Sequence, residues 1–96
     1  MVSQEKPLVS VIMSSYNAGR YIAQAIKGIL NQTYSNIELI IVDANSSDNT
    51  AEIIKRFARI DRRVKPIFLN RRITIAKARN IAIKNAKGQF YATADA

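Results

Sequence analysis

The sequence predicts a single α/β domain built on an open, mostly parallel β-sheet with helices on both faces. Three features of the 96-residue chain lead to this fold class. Short runs of β-branched residues alternate with amphipathic segments in the order βαβαβαβ. The run at 37–42 is apolar on both faces, which is typical of a central parallel strand. Polar residues directly follow the first two runs, as expected where parallel strands end at one edge of a sheet.

The first strand is predicted at 9–14, where Pro7 precedes a run of mainly apolar residues. Its carboxyl end carries two hydroxyls, a phenol and an amide, which come from Ser14, Ser15, Tyr16 and Asn17. The next segment, 20–31, places four apolar residues on one helical stripe: Ile22, Ile26, Ile29 and Leu30. We therefore expect a buried strand, a polar turn and an amphipathic helix.

The second strand, 37–42, stops at Asp43, and small polar residues follow it. Asn49 and Glu52 have the spacing of a capping box that opens a second helix over 50–60. A carboxylate therefore lies at the end of a central strand, in the crevice where open α/β sheets bind ligands. A plain polar loop with a helix cap explains the same residues without a ligand.

The rest of the chain predicts a strand, a helix and a final strand. Residues 64–69 form a weaker strand, and Pro66 places it at a sheet edge because proline cannot donate a ladder hydrogen bond. A third helix begins near Ile75, and Gly88 is expected at the C′ position that closes it. The last strand follows at 90–93.

The natural strand order is 3-2-1-4, since the strand that contains proline occupies one edge. Right-handed crossovers then place the carboxyl ends of strands one, two and four side by side. We therefore expect residues 14–17, Asp43 and Asp95 to converge at one rim of the sheet. Strand four is unpaired on its outer side, which offers a template for self-association into a homo-oligomer.

Composition excludes several classes of chemistry. The chain has no cysteine and no histidine, so disulfides, zinc sites and Ser-His-Asp triads are excluded. There is no apolar run of about 18 residues that could span a membrane. Residues 1–7 lack the apolar core of a signal peptide, and a cytoplasmic location is therefore expected.

The net charge of +8 is concentrated in the second half of the chain. Segment 55–87 contains twelve basic residues and one acid, Asp61. Such a field attracts polyanions, whether a nucleotide diphosphate, an anionic membrane surface or a nucleic acid. No specific nucleic-acid partner is expected, because only Phe57, Phe68 and Tyr91 could supply nearby stacking. Solvated helix faces account for many of the same basic side chains.

Residues 9–95 resemble the first half of the family 2 glycosyltransferases, an inverting family with the GT-A fold. The family's first strand and nucleotide loop are similar to 9–17 (VSVIMSSYN). Its second strand and acidic loop are similar to 29–43 (ILNQTYSNIELIIVD) and 46–50 (SSDNT), and its third helix to 78–88 (ARNIAIKNAKG). The resemblance implies that residues 1–96 form one domain, the Rossmann-like nucleotide-sugar-binding half of a truncated GT-A domain.

The resemblance also implies a nucleotide-sugar donor, with a UDP-sugar favoured, and a divalent Mg²⁺ or Mn²⁺ that bridges its diphosphate. Six residues match nucleotide-binding positions of the family's motifs: Ser14, Ser15, Tyr16, Asp43, Arg79 and Asp95. Asp95 matches the first acid of the DxD motif and would also be a metal ligand. Peripheral contact with the inner face of a membrane is a further expectation.

The sequence departs from the family's pattern at several positions. Ala44 replaces the second acid of the usual Asp-Asp-Gly-Ser, which bears on base recognition. Two serines, 14–15, stand where Pro-Thr is frequent, and 72–74 replace an Asn-x-Gly turn. The second DxD acid and the catalytic base belong to positions beyond Ala96, so no catalytic residue is assigned. A non-catalytic structural or interaction domain stays open as an alternative, as does a polyanion binder that uses segment 55–87.

Overall fold

The computed structural model describes residues 6–95, apart from the side chain of Asp95. The elements are β1 (Val9–Ser15), α1 (Ile22–Leu30), β2 (Ile37–Asp43), α2 (Thr50–Ile60), β3 (Val64–Phe68), α3 (Ile75–Asn85) and β4 (Phe90–Asp95). The predicted alternation is confirmed, with boundaries that move by about two residues at most. None of these helices has the length and apolar character that crossing a bilayer requires.

The described sheet is parallel throughout and has the order β3-β2-β1-β4, so the predicted order 3-2-1-4 is confirmed. Its register pairs Ser15 with Asp43 on one side of β1 and Ser14 with Asp95 on the other. The carboxyl ends of β1, β2 and β4 therefore meet at one rim. Pro66 lies in the edge strand β3, as predicted.

Apolar side chains pack against both faces of the sheet. α1 and α2 cover one face, and their buried residues form a cluster with the sheet that includes Val11, Met13, Ile22, Ile26, Leu39, Ile41 and Ile54. α3 covers the other face, where the cluster consists of Ile12, Ile40, Val42, Ala78 and Ala82. β2 is buried along its whole length, as its two-sided apolar pattern predicted.

The start of α2 differs from the predicted capping box. The side chain of Asn49 makes no capping hydrogen bond. Instead, Asp48 accepts the N–H groups of Thr50 and Gly19, each at 3.0 Å. The helix starts at the predicted residue, with Asn49 at its N-cap, but the predicted capping-box hydrogen bond is wrong, because Asp48 accepts the first N–H of the helix and also holds the β1–α1 loop. Hydrogen bonds from the hydroxyl and N–H of Thr50 lower the pKa of Asp48.

The end of α3 also differs from the prediction. The helix ends at Asn85, and Ala86 already has extended backbone angles (φ −74°, ψ 136°). Gly88 has no positive φ, so the C′ role predicted for it is wrong. A Cβ at this glycine would lie 2.7 Å from the carbonyl oxygen of Leu8 and 2.8 Å from the nitrogen of Ser10. Gly88 therefore lets the α3–β4 connection lie directly against β1.

A buried carboxylate holds the same connection from the sheet side. Glu38 is 3% exposed, and its Oε2 accepts from Ser10 Oγ and from the Lys87 N–H, both at 2.6 Å. Ser10 Oγ in turn accepts from the Gly88 N–H at 2.9 Å. Burial raises the pKa of Glu38, but these hydrogen bonds and the charge of Lys65 hold it below its ordinary value of 4.5. The folded state therefore favours the ionised carboxylate.

This depressed pKa predicts a pH dependence of stability. The contribution of Glu38 is present above pH 4.5 and is lost as the pH falls through the folded-state pKa. The free energy of unfolding of Glu38→Gln should therefore fall less on acidification than that of the wild type. Urea denaturation near neutral pH and near pH 3, followed by circular dichroism, measures both losses. Equal losses in the two proteins would contradict the assigned role.

Candidate functional site

The carboxyl rim of the sheet carries a pocket of about 420 Å³. Its walls come from the end of β1 and the loop after it, from the residue after β2, and from the segment that leads into α3 together with the first turn of that helix. The lining residues are Ser14, Ser15, Tyr16, Ala18, Ala44, Arg72, Ile73, Ile75 and Ala78. The pocket lies where the sequence predicted a ligand crevice, and three of the six predicted site residues line it.

Asp43 adjoins this pocket and is 2% exposed. Its Oδ1 accepts from Ser15 Oγ at 2.7 Å and from Ser46 Oγ at 2.6 Å, and its Oδ2 accepts from the Ser46 N–H at 3.0 Å. An ionised carboxylate has enough lone pairs to accept all three hydrogen bonds. Asp43 therefore fixes the hydroxyl of Ser15, a pocket residue, and the turn after β2. The predicted proximity of Asp43 to the end of β1 is confirmed.

Two loops meet at this rim and are joined by hydrogen bonds. Asn17 has a left-handed backbone (φ 48°), which asparagine adopts more readily than most residues. Its N–H donates to Ser46 Oγ at 2.9 Å, and its Oδ1 accepts from the Ser47 N–H at 2.8 Å. The Ala18 N–H donates to Thr50 Oγ1 at 2.9 Å. These contacts hold the β1–α1 loop against the β2–α2 loop and order one wall of the pocket.

An arginine lies over a tyrosine in the pocket lining. The guanidinium carbon of Arg72 is 4.2 Å from the centre of the Tyr16 ring, within the range of a cation–π contact. Tyr16 is 39% exposed and Arg72 is also exposed, so both remain accessible to a ligand. Arg72 was missed as a site residue, because only the folded loop brings it to Tyr16. The sequence offered one signal for Arg72: a charged residue begins the segment 72–74, which replaces the family's Asn-x-Gly turn.

The predicted metal ligand, Asp95, is placed by its backbone alone. β4 pairs it with Ser14, a pocket residue, so its backbone lies at the same rim. Its side chain lies outside the described part of the chain, and its metal-binding role stays a prediction. Among the residues that the structure describes, no three acidic side chains come close enough together to hold a metal ion.

Arg79 is not among the residues that line the pocket. It is exposed on α3, one turn from Ile75 in one direction and from Ile83 in the other. No salt bridge joins it to Asp43 within the described residues. Its role in nucleotide binding stays a prediction, and Arg72 supplies the guanidinium in the pocket lining.

The chain is similar in sequence to known glycosyltransferases. A family profile described as glycosyl transferase family 2 matches residues 10–96. Glycosyltransferase GlyG of Streptococcus pneumoniae serotype 4 is 40% identical over 88 residues, which cover 92% of this chain and 29% of GlyG. The Escherichia coli UDP-Glc:alpha-D-GlcNAc-diphosphoundecaprenol beta-1,3-glucosyltransferase WfgD is 44% identical over 88 residues, 92% of this chain and 34% of WfgD. The chain spans about a third of the length of the curated relatives it matches.

Solved structures share the fold. Mannosyltransferase PcManGT from Pyrobaculum calidifontis, in complex with GDP-Man and Mn2+, matches with a TM-score of 0.86 at 27% identity, over 95% of this chain and 28% of that protein. S. aureus TarS 1-349 in complex with UDP-GlcNAc matches with a TM-score of 0.83 at 29% identity, over 91% of this chain and 26% of that protein. The predicted fold class is confirmed.

Proposed function

The chain belongs to glycosyl transferase family 2, and we propose that it binds the nucleotide-sugar donor at the carboxyl rim of its sheet. The observation that supports this best is the composition of the pocket. An aromatic ring, a guanidinium and hydroxyl groups occur together there. They match the three parts of a nucleoside diphosphate: a base that stacks, a diphosphate that binds cations, and a ribose that hydrogen-bonds.

The polar and aromatic side chains at this rim have roles that follow from their chemistry. Tyr16 offers a ring face to the base, and Arg72 offers donors in a planar fork to the diphosphate. Ser14 supplies a hydroxyl for the ribose. Asp43 acts as a positioning residue for Ser15, because its oxygens accept from donors within the protein. A direct contact between Asp43 and a base or ribose, as the family's motif implies, stays a prediction.

The oxygen atoms that this rim would offer to a ligand are of the kind that bind a divalent cation. PcManGT is in complex with Mn2+ as well as GDP-Man. Mg²⁺ and Mn²⁺ favour oxygen ligands, and Mg²⁺ is commonly held by one or two carboxylates together with substrate phosphates. In this chain Asp95 would supply the carboxylate, beside the pocket residue Ser14 with which it pairs. When bound, the ion would offset the negative charge of the diphosphate.

We further propose that the donor is a UDP-sugar. The name of WfgD specifies UDP-Glc and the TarS structure contains UDP-GlcNAc, whereas PcManGT contains GDP-Man. Ala44 leaves a small apolar wall in the pocket at the position of the family's second acid. The sugar would pass to an acceptor hydroxyl with inversion, and the catalytic base is not assigned to any residue of this chain.

Two other expectations from the sequence stay predictions. β4 has a neighbour on only one side of the described sheet, and Phe90 and Tyr91 on this strand are both 61% exposed. This edge would be the contact between copies in a homo-oligomer. A cytoplasmic location is the second.

Removing the guanidinium of Arg72 is expected to weaken UDP binding about tenfold or more, because a hydrogen bond to a charged group contributes roughly 1.5–3 kcal/mol. The effect on UMP should be smaller, since UMP lacks the second phosphate. Isothermal titration calorimetry of the wild type and Arg72→Ala with UDP and UMP, in the presence of Mn²⁺, measures both affinities.

Lys27→Ala is the matched control, because Lys27 is an exposed basic residue on α1 that does not line the pocket. This variant should keep the wild-type affinities for both nucleotides. The proposed function would be contradicted by a wild-type chain that binds neither nucleotide. It would also be contradicted if Arg72→Ala kept the full preference for UDP over UMP.

A further inference from the structure

An arginine covers the aromatic ring that the proposed function assigns to the base. The guanidinium carbon of Arg72 lies 4.2 Å from the centre of the Tyr16 ring, and both residues line the pocket. A planar base between the two groups would need a separation of roughly 7–8 Å, since each contact takes about 3.5–4.0 Å. The observed separation is too short for this. A base and the arginine therefore compete for the same ring.

The loop that carries Arg72 allows its side chain to leave the ring. Arg72 is exposed and forms no salt bridge with the acidic side chains that the structure describes. The loop is fastened at both ends: the Leu69 N–H donates to the Asp43 carbonyl oxygen at 2.9 Å, and Thr74 caps α3. Among the described residues, no backbone–backbone hydrogen bond involves 70–73. The guanidinium can therefore move without breaking a hydrogen bond of a helix or the sheet.

We propose that a nucleoside diphosphate exchanges places with Arg72 on the Tyr16 ring. The base takes the ring face, and the displaced guanidinium turns to the diphosphate and donates to its oxygens. A cation–π contact at an exposed site is weak, whereas hydrogen bonds from a guanidinium to phosphate are charge-assisted and often bidentate. A nucleoside diphosphate therefore compensates for the lost ring contact. A nucleoside without phosphate does not.

This exchange rests on the proposed function and adds a selection against ligands that lack a diphosphate. Arg72 raises the affinity for the diphosphate and lowers the affinity for the base and ribose alone, because these must displace it from the ring. A different arrangement, in which the base lies between Tyr16 and Arg72, would make the arginine favourable to a nucleoside as well. The sign of the effect of Arg72 on uridine therefore distinguishes the two arrangements.

NMR titration of the ¹⁵N-labelled full chain with uridine and with UDP, for the wild type and Arg72→Ala, tests the exchange. Arg72→Ala should bind uridine about two- to fivefold more tightly than the wild type, the fold-change that corresponds to an exposed cation–π contact. It should bind UDP about tenfold or more weakly, because a charge-assisted hydrogen bond is lost.

Arg71→Ala is the matched control, because Arg71 is an exposed arginine of the same loop that does not line the pocket. Its affinity for uridine should stay within about twofold of the wild type, well inside the range of a single weak contact. An equal gain in uridine affinity in Arg71→Ala would show that the ring contact is not the cause and would overturn the exchange.

The exchange would also be overturned if Arg72→Ala bound uridine with unchanged or lower affinity, or not at all. The proposed function would survive that result if the wild type still bound UDP and Arg72→Ala lost the preference for UDP over UMP. A wild-type chain that binds no UDP would contradict both proposals. The failure of the exchange is therefore distinguishable from the failure of the proposed function.

Discussion

Replacing Gly88 by alanine is expected to lower the free energy of unfolding by about 1–3 kcal/mol, the typical cost of overpacking a close contact. The added Cβ would lie 2.6 Å from Ser10 Oγ, 2.7 Å from the carbonyl oxygen of Leu8 and 2.8 Å from the nitrogen of Ser10. Two of these three atoms belong to the backbone of Leu8, just before β1, and of Ser10, within it, so a side-chain rotation cannot relieve the contact. Urea denaturation measures the loss.

Gly28→Ala is the matched control for this prediction. Gly28 lies within α1, and a Cβ there would meet nothing within 4 Å. This substitution should stabilise the protein by about 0.5–1 kcal/mol, because glycine is a poor helix former. If the two alanine variants had the same stability, the tight contact at the α3–β4 connection would not exist in solution.

Asp43→Ala should destabilise the protein by about 2–4 kcal/mol, since unmade hydrogen bonds of buried groups cost roughly 1–3 kcal/mol each. The substitution removes the acceptor of Ser15 Oγ, Ser46 Oγ and the Ser46 N–H. These groups order the pocket side of β1 and the turn after β2. UDP affinity should therefore fall at least about tenfold, which is about 1.4 kcal/mol of binding free energy. Chemical denaturation and calorimetric titration measure the two effects.

Glu52→Ala serves as the control for Asp43→Ala, because it removes the same charge from an exposed position in the first turn of α2. Glu52→Ala should lower the free energy of unfolding by about 0.3–1 kcal/mol, the typical size of an exposed interaction with the helix dipole. Ser46→Ala should fall between the two variants, because Asp43 then keeps the donors from Ser15 and from the backbone. Comparable stability of Asp43→Ala and Glu52→Ala would contradict the role assigned to Asp43.

The strand order could be predicted from the sequence because hydrophobic patterning acts over whole elements. The two-sided apolar run of β2 could lie only at the centre of the sheet, and Pro66 was compatible only with an edge. Helix ends could not be predicted in the same way. Asp48, not Asn49, supplies the side-chain acceptor at the start of α2 and also binds the Gly19 N–H of a distant loop. Gly88 serves a contact with β1, which is distant in sequence.

The candidate site could be predicted as far as strand register defines it. Parallel pairing places Ser15 beside Asp43. This proximity could be inferred from the positions in the sequence at which the first two strands end. Arg72 could not be found in this way, because it lies on a loop whose path follows from the packing of α3. The same packing leaves Arg79 exposed and outside the pocket lining. Loop conformation, unlike register, is not encoded in a residue periodicity.

The most direct test of nucleotide binding at the carboxyl rim is a titration of the ¹⁵N-labelled chain with UDP, followed by amide chemical shifts. The buffer contains Mg²⁺ and no Mn²⁺. Saturable shifts should concentrate at the pocket residues Ser14, Ser15, Tyr16, Ala44 and Arg72. The amide of Gly28, within α1, should not move. Absence of saturable shifts at the pocket, or shifts confined to the surface of α3 around Lys77 and Lys84, would contradict the proposed function.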